Sequence, residues 1–190
     1  MIKKLSNIYL EEGLKNLQQN KLTTAQANFQ KAFYISNDNW EALNLLGLCL
    51  YTSGDFKKAE VFWKKSIYLN PEKENRAYQY IDNFKENEFI ALCDLYNKAL
   101  QCAMEGEFKS SEKLLTEEPF MNCNIIPFTN LKGLCMLKSG KKGEAISLWK
   151  QSLRIDVENE DALKYIINCN DEKEEKISFS YLLRKILRTS

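Results

Sequence analysis

The chain has no histidine, three prolines and seven glycines, and its 190 residues carry a formal net charge of only +1. Each shortage removes a class of explanation. Without histidine, the commonest general base near neutral pH and the commonest metal ligand are both missing. No Gly-rich phosphate loop and no Gly-x-Ser-x-Gly elbow occurs, so no residue is nominated as catalytic and the chain reads as a non-enzyme. The six cysteines, at 49, 93, 102, 123, 135 and 169, form no Cys-x-x-Cys pair. Zinc at its common ligand spacings is thereby excluded, and neither metal nor cofactor is expected. The balance of 27 basic against 26 acidic residues gives no field that would draw nucleic acid or a membrane.

No apolar run reaches the roughly 18 residues of a membrane span. The N-terminus is basic at Lys3 and Lys4, but Glu11 and Glu12 arrive too soon for a secretory signal. With 44% hydrophobic and 28% charged residues the chain is an ordinary globular one. Cysteines set among apolar residues read as core thiols of a reducing compartment, so a cytoplasmic protein is expected. The scarcity of proline and glycine favours long helices.

What is present is a repetition. Asn44-Leu45-Leu46-Gly47-Leu48-Cys49-Leu50-Tyr51-Thr52-Ser53-Gly54 returns 86 residues later as Asn130-Leu131-Lys132-Gly133-Leu134-Cys135-Met136-Leu137-Lys138-Ser139-Gly140. Trp63 and Trp149 keep the same offset. A shorter period of 34 places Gly13 on Gly47, Ala25 on Ala59 and Phe29 on Trp63. Apolar residues at 25, 29, 32 and 33 follow the helical period. The 34-residue phase lapses after Pro71 and resumes at Leu92, with Ala99, Gly106, Ser111 and Leu115 at the matching places. Asp161-Ala162-Leu163-Lys164-Tyr165-Ile166 echoes Ala77-Tyr78-Gln79-Tyr80-Ile81. The whole reads as a tandem of two repeats plus one helix.

The set Leu43, Leu46, Gly47, Leu50, Ala59, Trp63, Ser66, Pro71 resembles the tetratricopeptide repeat (TPR), a 34-residue helix-turn-helix. Small residues at its positions 8, 20 and 27 let two helices approach closely, and large ones fill the gaps between pairs. The resemblance implies an all-α, TPR-like α-solenoid of stacked repeats. Units one and two span 6–73, a connecting helix 74–91, units three and four 92–159, and a capping helix 160–170. A charged linker and a basic amphipathic helix, with Phe179, Leu182, Leu183 and Ile186 on one side, make up 171–190.

In that family the first helix of each repeat lines a concave groove that holds a peptide or helix of another protein. The groove-facing positions fall on Leu10, Leu14 and Leu17 in unit one, and on Asn44, Leu48 and Tyr51 in unit two. Unit three supplies Tyr96 and Leu100, and unit four supplies Asn130, Leu134, Leu137 and Lys138. The charged clamp with which chaperone-binding members hold a C-terminal carboxylate is missing, since its places are taken by Leu10, Leu14, Leu45, Cys93 and Asn97. The resemblance therefore implies a protein or peptide ligand read by apolar burial, with Asn44 and Asn130 orienting its backbone. Two alternatives stay open: these leucines pack on the neighbouring inner helix, or the tail helix fills the groove. A rival role is a membrane-surface adaptor that uses the basic C-terminal helix.

Overall fold

A computed structural model describes residues 1–117 and 123–170, and among these every regular element is an α-helix. The chain forms two compact units. The first, Met1–Glu86 with Asp156–Glu158, contains α1 (Ile2–Gln18), α2 (Leu22–Ile35), α3 (Trp40–Thr52), α4 (Phe56–Leu69) and α5 (Ala77–Lys85). The second, Asn87–Ile155 with the residues from Asn159 on, contains α6 (Asn87–Met104), α7 (Phe108–Leu114), α8 (Ile126–Lys138), α9 (Lys142–Ile155) and α10 (Glu160–Asn170). Each unit is thus two helical hairpins followed by a single helix. This is the all-α repeat architecture that the sequence implies. The proposed amphipathic C-terminal helix lies outside the described residues. The stretch 74–91 is not one helix: α5 stops at Lys85, Glu86 is extended, and α6 begins at Asn87.

All four hairpins turn in the same way. The pivot is Asn20, Gly54, Gly106 or Gly140, with φ of 56°, 85°, 84° and 82° respectively. Such left-handed backbone suits glycine, and asparagine among the others. The next residue donates its N–H five residues back, at 2.9 Å for Asp55 to Leu50 and 2.9 Å for Lys141 to Met136. This is the Schellman closure, which satisfies carbonyls that a helix end leaves open. Asp55 then caps α4 through the Lys58 N–H at 3.2 Å. The first turn of α2 has no side-chain cap of its own. Within the first unit, Asp156 accepts from the Thr23 hydroxyl at 2.7 Å and Glu158 from the Thr24 N–H at 2.9 Å. Two carboxylates thus meet the positive end of α2.

Inside each hairpin a large side chain of the outer helix lies on the inner helix at its smallest residue. A Cβ added to Gly13 would stand 2.4 Å from the Phe29 ring, one on Gly47 2.2 Å from Trp63 Nε1, and one on Gly133 2.4 Å from Trp149 Nε1. The third hairpin pairs Ala99 with Leu115 at the same places, both buried. A smaller partner leaves room for the methyl group. Ala25, Ala59, Ser111 and Ala145 sit at the second close approach, each fully buried.

Substituting Gly47→Ala drives a methyl into the indole and is expected to cost about 2 kcal/mol, in the range for overpacked cores. Adding Trp63→Leu reproduces the Ala99–Leu115 pairing, so the double variant should be more stable than the sum of the two single losses. Urea unfolding of all four proteins checks this as a double-mutant cycle.

Candidate functional site

The inner helices α1, α3, α6 and α8 carry the groove candidates. Leu10, Tyr96, Leu100 and Leu134 are buried in their own units. Tyr96 stacks on Phe128 with ring centroids 4.2 Å apart, and Leu134 joins a core with Trp149 and Tyr165. Tyr51 is half-buried in an aromatic cluster, 5.5 Å from Phe56 and 5.8 Å from Phe84 of α5. Leu17, Leu48 and Leu137 are half-buried, while Leu14 and Lys138 are exposed. Leu14 keeps 40% of its surface open to solvent. Leu10, Leu14 and Leu17 follow one another along a face of α1, and Asn44 and Leu48 lie one turn apart on α3.

The two asparagines have work inside the fold. Both are buried, and the backbone carbonyl of each accepts the indole N–H of the outer helix. Trp63 reaches Asn44 O at 3.1 Å and Trp149 reaches Asn130 O at 3.3 Å. The Asn44 amide donates to Asn75 Oδ1 at 2.8 Å. Asn75 also accepts the Ala77 N–H, capping α5, and donates to Ser66 and to the Asn70 carbonyl. In the second unit, Asn159 caps α10 through the Ala162 N–H at 2.8 Å and accepts from the Asn130 amide at 3.5 Å. A tyrosine ring lies about 5 Å from each tryptophan, Tyr80 beside Trp63 and Tyr165 beside Trp149. One difference separates the asparagines. Ser152 donates to Asn130 Oδ1, whereas Ser66 donates to the Trp40 carbonyl and leaves Asn44 Oδ1 without a partner.

Asn75 and Asn159 were not singled out from the sequence. Their signal was an asparagine two residues ahead of α5 and directly ahead of α10, a usual capping pattern.

All six cysteines are free thiols. Burial pushes Cys49 up to about 12 and Cys135 up to about 11, so neither is a thiolate near neutral pH. The Cys135 thiol instead donates to Ser111 Oγ at 3.1 Å. Lys141 holds the Glu112 carboxyl below its ordinary range. Among the described residues, no group of three acidic or cysteine side chains could hold a metal, and no helix is long and apolar enough to cross a membrane.

A tetratricopeptide repeat model matches residues 40–73. Among solved structures, the crystal structure of the P58(IPK) TPR domain shares 16% identity over 97% of this chain, with a TM-score of 0.51. The chain spans 55% of that domain. PilF of Pseudomonas aeruginosa shares 16% identity over 99% of the chain and 76% of its own, with a TM-score of 0.37. YrrB, described as a TPR protein with an unusual peptide-binding site, shares 14% over 84% and 90%, also at 0.37. No curated protein matches the sequence.

Two outcomes follow from this geometry. Asn75→Ala removes the cap of α5 and orphans the Asn44 amide, and should cost about 2 kcal/mol by urea unfolding. The raised Cys49 and Cys135 thiols mean that the folded protein favours the neutral form. Their contribution is therefore complete below the ordinary thiol value of 9.0 and is lost as pH rises toward about 12 and 11, respectively. The urea midpoint should fall across that window, and less steeply in Cys49→Ala.

Proposed function

Because a tetratricopeptide repeat model matches residues 40–73 and the other hairpins repeat that packing, we propose that the chain is a non-enzymatic adaptor that binds a peptide or a helix of another protein. The surface we assign is the inner-helix face of the first unit, built on Leu14, Leu17 and Leu48. The observation that carries this reading is that Leu14 keeps 40% of its surface open, with Leu17 and Leu48 only half-buried on the inner helices. Apolar burial of partner side chains supplies affinity there. In the second unit the position matching Leu48 is Leu134, which is buried, while Leu137 is half-buried and Lys138 exposed. The free, buried thiols support a reducing location such as the cytoplasm. No cofactor and no nucleic acid enter the reading.

The test selects peptides from a displayed random library against the full chain and measures their affinity by calorimetry. Leu14→Glu and Leu48→Glu should each weaken binding at least tenfold with helicity unchanged by circular dichroism. Tyr34→Ala, on the strongly exposed side of α2, should leave it unchanged. Peptides lost on Tyr34→Ala but retained by both leucine variants would move the site elsewhere.

A further inference from the structure

The second hairpin of each unit has a seventh repeat position on its inner helix. In α3 this residue is Leu46, which is 2% exposed. In α8 the matching residue is Lys132, a cation where the repeat needs an apolar side chain, and it is half-buried. The neighbouring outer helices differ as well, since α2 has 14 residues and α7 has 7. Beside α7 lies a cavity of about 60 Å³, lined by Leu115, Cys123, Phe128 and Leu148 together with the polar residues Thr129, Lys132 and Gln151.

The polar groups of this cavity are weakly partnered. Among the described residues the Lys132 ammonium makes no ion pair. Glu112 is the carboxylate whose charge reaches it, but that group is held at 2.5 Å by Lys141. Gln151 makes no hydrogen bond among the described residues, and the Thr129 hydroxyl has only a long contact of 3.5 Å to the Ile125 carbonyl. Partial burial pushes Lys132 down from its ordinary value, with the Glu112 charge acting against that shift. A site that departs from its repeat rule, keeps a cavity and sets unpaired donors around it has the character of a receptor.

We propose that this cavity receives a single carboxylate group, held by the Lys132 ammonium with the Thr129 hydroxyl and Gln151 amide as further donors. Its volume exceeds the roughly 10–15 Å³ that one water molecule needs and leaves room for a group of a few heavy atoms. The group comes either as a free small carboxylate or as an acidic side chain of a peptide. It is independent of the leucine surface of the first unit.

The experiment titrates the full-length, isotope-labelled protein with sodium acetate and, separately, with N-acetyl-aspartate N-methylamide. Sodium chloride at matched ionic strength is the control. The expected result is a saturable shift of the Thr129, Lys132 and Gln151 signals that chloride does not give. Lys132→Leu restores the residue found at position 46 and should fold with an equal or higher Tm, while its affinity for the carboxylate falls at least tenfold. Lys132→Gln, which keeps length and removes charge, should lose affinity in the same way. A response to either probe supports the site, and the tighter of the two identifies the source. No saturable shift, or an equal shift in both Lys132 variants, would overturn the proposal.

Discussion

The structure rests on one steric constraint: an aromatic ring laid directly on a glycine of the facing helix. Gly13 under Phe29, Gly47 under Trp63 and Gly133 under Trp149 set the approach of two helices at a distance that no other residue type permits. Once the helices are that close, the second crossing must also be small, and alanine or serine occupies it in all four hairpins. The third hairpin obeys the same rule with different volumes, since Ala99 facing Leu115 divides the space more evenly. What repeats along this chain is a sum of volumes across each pair of helices, and the residue names follow from it.

A second interaction carries order from one hairpin to the next helix. The indole N–H of each tryptophan cannot be buried unpaired, and it binds the backbone carbonyl of Asn44 or Asn130. The amides of those asparagines then meet Asn75 or Asn159, which start α5 or α10. Buried polar groups of this kind tolerate little misregistration, because each one left unpaired is costly. The chain therefore uses its inner-face asparagines to align helices.

The two units share this plan and differ where it is relaxed. The first unit puts Leu46 at the seventh position and closes an aromatic cluster of Tyr51, Phe56, Trp63 and Phe84 against α5. The second puts Lys132 there, beside a short outer helix and a cavity. A duplicated framework can hold such a departure because the ring-on-glycine contact is made elsewhere in the same hairpin.

Helix pairing, turn placement and register were legible in the residues themselves. Gly47 and Trp63 stand 16 residues apart across one turn, so their complementarity is a local matter of volume, and the pivots at Gly54, Gly106 and Gly140 mark it. Even the degenerate third hairpin kept the phase. The candidate surface was less legible. Asn44 and Asn130 stood out as recurring polar residues on an apolar helix, yet whether such an amide meets a ligand or the protein depends on groups about 30 residues away. Leu10, Tyr96, Leu100 and Leu134 likewise share the helical period of Leu14 and Leu48, but lie buried. The sequence by itself determined which helices pair, because each pair is decided by side chains a short turn apart. Only the tertiary structure decided which inner-face residues stay open, because that depends on where the next helix comes to rest.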